Sequence, residues 1–298
     1  MDFNLIQLDI TVRTDDARQL CRSLPQQGSA FAAACRKNAC RWPGRECRVC
    51  ALQGTCQWDL VFGQRLACDP SALRRFQKPS LPFVFSFPLP PDTAGGVTVI
   101  HCGLVVIGQA IPCLEMLLEG FSETLSLLSA EIDLVGTRDF QGVVHPLGEG
   151  CIVNSSENLV VLSSHDLFEG RIWTAASLQI RLATPLRLFV DGRLLRDYDF
   201  SRFARSLLRR VSALAYYYGS HEFGCDYREL SRQADAVVCT DDRFTFATDR
   251  ERKLSGLLGS GTFQGDFSGL FPFLQAGAYL HTGKGASFGL GAYELSEN

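Results

Sequence analysis

One order of strand and helix occurs twice along this chain of 298 residues, and that order restricts the fold more than any other feature. In the first half, Leu5, Ile6, Leu8, Ile10 and Val12 mark an opening strand. A short helix is predicted over residues 26–38, with Phe31 and Ala34 inward. Residues 81–89 mix aromatic and apolar side chains with prolines and read as an edge strand or extended arm. A Val- and Ile-rich strand over 97–107 is broken by Gly108. Pro112 then suits a first helical turn, and Leu114, Leu117, Leu118, Phe121, Leu125 and Leu128 continue at helical spacing. One or two strands around Gly136 follow over 132–144, then a turn-rich break at 146–150.

The second half repeats the order. Residues 172–190 read as strand, and Asp191-Gly192 turns the chain. Asp199 caps a helix whose Phe200, Phe203, Ala204, Leu207, Val211, Leu214, Ala215 and Tyr218 share one face, and Gly219 ends it. Strands over 237–247 and 256–267, a helix over 270–280 and a last strand over 288–295 complete the set. Two-layer α+β units of ferredoxin-like type have this order. The expectation is two tandem domains, 1–165 and 166–298, the first with a cysteine-rich insertion at about 40–56. No primary-sequence repeat relates the halves.

Composition narrows the function classes. The amino-terminus has no basic leader, and no segment offers the ~18 apolar residues of a membrane span, so a cytoplasmic protein is expected. There the 12 cysteines would be reduced, which leaves metal binding and simple burial as explanations. A net charge of −3 carries no global signature of nucleic-acid binding, but the positive charge is local and made of arginine. Residues 171–232 hold 11 Arg and no Lys against 6 acidic residues, and 36–48 hold 4 Arg and 1 Lys against Glu46. The arginine fork matches phosphate oxygens, although a charge run is also what a solvated face looks like.

Near the end, HTGKGASFGLGAYEL places Gly283, Gly285, Gly289 and Gly291 in a GxGxxxGxG run. Glycine accepts positive φ and close approach, so such a run can wrap amides around an anion. The run follows a helix and precedes a strand, and Lys284 follows the first glycine. A Walker loop and a Rossmann fingerprint both require the opposite order, so a nucleotide-binding enzyme fits poorly. A glycine-rich hairpin that only turns the chain remains open beside phosphate binding.

The run and its preceding segment, GLLGSGTFQGDFSGLFPFLQAGAYLHTGKGASFGLGAY, resemble the carboxy-terminal signature of the CRISPR precursor-RNA processing endoribonucleases of the RAMP superfamily. LATPLRLFVDGRLL, FARSLLRRVSAL and DRERKLSGLLG extend the likeness in the right order over residues 178–293. GSAFAAACRKNAC and CRVCALQGTCQWDLVFG resemble the amino-terminal helix and cysteine cluster of one bacterial branch. Ala30-Phe31-Ala32-Ala33 departs from that branch's Leu-Arg-Gly-Ala type of helix start. The resemblance implies two RRM-like ferredoxin domains in tandem. It implies metal-independent cleavage of repeat RNA by its own 2′-hydroxyl, leaving a cyclic phosphate. The product would stay bound or pass to a CRISPR effector complex.

That reaction needs proton transfer and stabilisation of charge on phosphorus. Family members often carry a histidine in the first helix, but no histidine precedes His101 here. His281 and Lys284 are the candidates for acid/base and electrostatic roles, with a purely structural His281 equally open. His101 reads as a core histidine, His145 as a turn residue, and His165 and His221 as loop residues. RNA-binding candidates are Gly283, Gly285, Ser287, Gly289, Gly291, Arg209 and Arg210, with Arg36 and Lys37 from the basic stretch. Tyr216, Tyr217 and Tyr218 offer base-stacking rings, at least one of them on the helix's apolar face. Cys40, Cys47, Cys50 and Cys56 have a spacing suited to a structural zinc, with an iron–sulfur cluster or a metal-free loop as alternatives. Cys35 could substitute for Cys40, and the remaining cysteines, among them Cys68 and Cys239, read as small core residues. A catalytically inactive RAMP subunit that binds repeat RNA and scaffolds an effector complex is the second functional reading.

Overall fold

A computed structural model describes residues 3–42, 44, 46–69, 77–91, 98–154, 156–164, 175–219, 222–249 and 254–297. The amino-terminal domain contains β1 (Asn4–Thr14), α1 (Ala17–Ser23), α2 (Gly28–Ala39), α3 (Gln57–Phe62), β2 (Phe83–Ser86) and β3 (Val99–Ile107). It continues with α4 (Leu114–Ser126), β4 (Ala130–Arg138), β5 (Val144–Glu149) and β6 (Val161–Ser163). Its antiparallel sheet runs β2-β3-β1-β4-β5, with β6 also on β1. Leaving aside the additions, β1-α2-β2-β3-α4-β4 with spatial order 2-3-1-4 is the ferredoxin arrangement.

The carboxy-terminal domain contains β7 (Ser177–Leu186), β8 (Phe189–Val190), β9 (Arg193–Leu194), α5 (Phe200–Gly219), α6 (Tyr227–Ala236) and β10 (Val238–Asp242). β11 (Thr245–Asp249), β12 (Leu254–Gln264), α7 (Phe271–Leu280) and β13 (Tyr293–Ser296) complete it. Its sheet order, β10-β12-β7-β13, is the same permutation of first to fourth strand. Asp191 and Gly192 both have positive φ, 48° and 76°, as a two-residue hairpin between β8 and β9 requires.

Several elements depart from expectation: α6 is not anticipated, and the strand expected over 237–247 is two, β10 and β11. Gly136 does not divide a strand, because β4 runs through it. The break comes at Asp139, whose carboxylate accepts the N–H groups of Gln141 and Val143. His145 therefore lies in β5 rather than in a turn, and its Nε2 meets Asp139 at 3.1 Å. The last strand is short, and Phe288 lies in the preceding loop. Among the described residues, no helix is long and apolar enough to cross a membrane.

Strand alternation determines how the halves meet. Ile6, Leu8, Ile10 and Val12 face the layer of α2 and α4, in one core with Phe31, Leu117 and Phe121. The opposite face of the same sheet is apolar at one end only. There Leu5, Val84, Val105 and Ile107 join the core of the carboxy-terminal domain, with Phe203, Leu207 and Leu214. Further along that face the side chains turn polar, with Ser86 at the edge of the domain contact and Gln7, Asp9, Thr11 and His101 beyond it. The second domain thus covers half of the first domain's outer sheet face and leaves the other half open.

Candidate functional site

The glycine-rich loop leaves α7 at His281, a non-glycine residue at φ 53°, a region that costs about 1–3 kcal/mol and persists where surroundings enforce it. Most of its amides are already used. The N–H of Lys284 donates to the Arg187 carbonyl (2.9 Å), that of Gly291 to Pro185 (3.1 Å), that of Phe288 to Gly285 (2.9 Å) and that of Thr282 to Gly291 (3.2 Å). The loop is therefore pinned to the end of β7 and closed on itself.

The loop also reaches into the other domain. The Phe288 ring sits 6.1 Å from Phe31, 5.6 Å from Phe83 and 6.2 Å from Phe85, and the Ser287 carbonyl accepts the Phe85 N–H at 3.0 Å. A Cβ on Gly28 would meet this ring at 3.0 Å, and one on Gly289 would meet Phe87 at 3.1 Å. Ser287, Gly289 and Gly291 are consequently buried, and their place in the loop is that of an inter-domain clasp. Gly283, Lys284 and Gly285 stay at the surface end.

Arg210 points inward from α5. Its guanidinium is buried, Nε donates to the Leu280 carbonyl at 2.9 Å, and burial lowers its pKa to about 10. It braces the end of α7 and, largely buried, shows only an edge to the cleft that Gly283 and Lys284 border. His281, 3% exposed, lies against the same group. Burial first, and then the Arg210 charge, push its pKa down to about 3, so the ring is neutral at pH 7. Its Nε2 faces the Ser86 hydroxyl at 3.5 Å, and its Nδ1 has no partner among the described residues. His281 is not within reach of a molecule in solvent.

On the surface side, Gly283 and Lys284 border a cleft of about 1120 Å³ whose other lining includes Arg187, Arg202, Arg205 and Arg209. Arg202 is paired with Asp199 at 3.3 Å and Arg205 with Asp235 at 2.5 Å. The Arg209 side chain is exposed and unpaired among the described residues, and Lys284 Nζ stands 5.1 Å above the Phe189 ring. Arg209 and Lys284 are thus the candidates the fold brings together at an open, positively charged surface. Arg36 and Lys37 are elsewhere: Arg36 covers the Trp58 ring at 5.3 Å and Lys37 pairs with Glu123 at 3.1 Å. The tyrosines do not offer free rings in the cleft. Tyr217 and Tyr218 donate their hydroxyls to the carbonyls of Gln77 and Ser80.

Of the cysteine quartet, Cys40 and Cys56 lie near enough to Cys47 to act on it electrostatically. Among the described residues no three metal-ligating side chains come together, and Cys40, Cys47, Cys50 and Cys56 are all partly exposed thiols. Burial raises the Cys47 pKa. The insertion is held by α3 instead. The buried Asp59 carboxylate accepts the Gly54 N–H at 2.9 Å and pairs with Arg65 at 2.8 Å, and Trp58 Nε1 donates to the Ala32 carbonyl. Cys68 and Cys239 are exposed, not core.

His101 was also misplaced by sequence. It is on the open sheet face, its side chain 67% exposed, with Nδ1 3.3 Å from Asp9 Oδ1. His165 and His221 lie outside the described residues.

Residues 180–293 match the family described as CRISPR-associated endoribonuclease Cas6, and residues 7–128 match a family described as an N-terminal domain. Among solved structures, Cas6 of Thermus thermophilus is 13% identical, with 99% of each chain covered and a TM-score of 0.55. A Cas6 solved as a product complex is 15% identical, covers 99% of this chain and 100% of its own, and gives a TM-score of 0.51. A partial Cas6-RT-Cas1–Cas2 complex is 12% identical over 99% of this chain and 46% of its own, with a TM-score of 0.56. At such identities the shared property is the fold, tandem ferredoxin-like domains. No curated protein matches the sequence.

Proposed function

The chain is of the Cas6 type, by the family that residues 180–293 match and by its fold, and from that premise we propose that it binds CRISPR repeat RNA and cuts precursor transcripts into guide RNAs. The observation that carries the reading is the arginine-lined cleft at the surface end of the glycine loop. Backbone phosphates fit a surface of exposed guanidinium and ammonium groups. The chemistry proposed is attack by the RNA's own 2′-hydroxyl, without a metal ion, giving a cyclic phosphate end. Lys284 is the group assigned to stabilise charge on the phosphoryl oxygens. Support for the partner comes from related Cas6 proteins solved as product and substrate-mimic complexes.

The experiment is incubation of the full chain with repeat RNA, with and without EDTA. Equal cleavage in both, and none of a strand with a 2′-deoxy residue at the cut, is the expected result. Bound but uncut RNA would favour the second reading, an inactive subunit that holds repeat RNA for an effector complex. One observation gives that reading standing: among the described residues, no histidine lines the arginine cleft.

Lys284→Ala should weaken RNA affinity about three- to tenfold across sequences and lower the slope of log affinity against log salt by about one contact. A titration at several salt concentrations measures both. Unchanged affinity and slope would remove Lys284 from the binding surface.

A further inference from the structure

The arginine cleft provides charge and one carboxylate, Asp191, but no histidine among its described residues, and His281 is sealed behind the loop. The open half of the amino-terminal sheet has one. Asp9 on β1 faces Gly103 of β3 and Gly136 of β4, so no side chain stands directly beside it on either neighbouring strand. Two longer side chains reach it from the diagonals. His101 Nδ1 lies 3.3 Å from Oδ1, and the Arg138 guanidinium bonds Oδ2. Thr11 Oγ1 stands 3.5 Å from the same His101 nitrogen. With Nδ1 engaged by a carboxylate, the neutral ring carries its proton there and presents an unprotonated Nε2 outward.

Asp9, His101 and Arg138 line a hollow of about 400 Å³ together with Ser86 and Phe87. Ser86 is the residue whose hydroxyl faces His281, and Phe87 is the ring against which Gly289 packs. The hollow therefore begins where the glycine loop's buried end emerges on the sheet, while the arginine cleft begins at its Lys284 end. An RNA strand following the loop would pass from one to the other.

We propose that His101 is the general base of the cleavage reaction, with Asp9 as its positioning residue; this rests on the function proposed above. Nε2 takes the 2′-hydroxyl proton, O2′ bonds to the adjacent phosphorus, and the P–O5′ bond breaks with its electron pair on the 5′-oxygen. That oxygen takes a proton from solvent, and His101 returns its own to solvent, so none is consumed. Arg138, two of whose donors are engaged by Asp9 and the Gly142 carbonyl, keeps others to face the phosphoryl oxygens.

The test is single-turnover cleavage of transcribed repeat RNA by the full chain and by His101→Ala, His101→Gln and Asp9→Asn. His101 is exposed, so folding should be unaffected. Both His101 variants should cut about 10²–10⁴-fold more slowly while binding RNA as the parent does. Asp9→Asn should slow cleavage, and should add nothing in the His101→Ala background, which a merely structural Asp9 would do. Parent and His101 variants cutting at equal rates would overturn this assignment alone. A parent chain that binds repeat RNA and leaves it whole would overturn both this assignment and the cleavage reading.

Discussion

Gly291→Ala should unfold the glycine loop's closure and lower stability by about 3 kcal/mol or more, the sum of backbone strain and a clash that has no soft partner. Gly291 has φ 67°, and a Cβ there would lie 1.8 Å from the Thr282 carbonyl oxygen. That carbonyl belongs to backbone, and the Thr282 N–H donates to the Gly291 carbonyl at 3.2 Å, so neither strand of the loop has freedom to retreat. Gly142 provides the control. It has φ 85° but nothing within 4 Å of its missing Cβ, so alanine there costs only the conformational term, about 1 kcal/mol. Thermal melts of the two variants should differ by roughly 4–8 °C at this chain length. RNA affinity should fall for Gly291→Ala and stay near the parent value for Gly142→Ala. Equal melting shifts would mean that the loop closes differently.

The contrast between these glycines shows where sequence reasoning stops. Four glycines in a short run announce a loop with unusual backbone, and all four do have positive φ. Their spacing does not say which face a ligand and which face protein, because burial depends on Phe85, Phe87 and Pro185, some 100 to 200 positions away. Phe288 illustrates the same limit. As an aromatic residue before an alternating segment it reads as the start of a strand, yet it is the knob that fits the Phe31–Phe83–Phe85 cluster of the other domain. Period-3.6 apolarity, by contrast, located α4 and α5 with little ambiguity, and the order of elements alone specified both ferredoxin units.

His101 was legible in principle. In VIHCGLVVI the buried residues Ile100, Cys102 and Leu104 fall on one parity, and His101 on the other. The apolar character of the stretch hides this, because Val105 and Ile107 on His101's own face are buried too, by the second domain. A strand half covered on its outer face reads as covered throughout. The cysteine insertion is hard to read for a different reason. Its thiols have a familiar spacing, but the buried carboxylate of Asp59 organises the segment, and a lone Asp in QWDLVF gives no sign of depth.

His281 sets the second large effect, a loss of stability between pH 6.5 and 5. Its ordinary pKa of 6.5 in the unfolded chain falls to about 3 in the folded one. Over that interval the unfolded state binds the proton and the folded state does not, so stability falls as pH falls. Each pH unit below 6.5 costs about 1.4 kcal/mol, or about 2 kcal/mol by pH 5. The carboxylates of Asp139, Asp226, Asp235 and Asp266 are held below their usual range by hydrogen bonds and give up their contribution only at lower pH. His281→Asn isolates the effect, since asparagine is polar and does not titrate there. Unfolding free energies from denaturant titrations should fall from pH 7 to pH 5 in the parent and fall by about 2 kcal/mol less in the variant. Because Arg210 and the protonated ring would then be two buried cations side by side, the inter-domain clasp is where acid should open the molecule first. Parallel pH profiles for parent and variant would show that His281 takes up its proton in the folded state near its ordinary pKa, and with it that the loop's inner end is open to water.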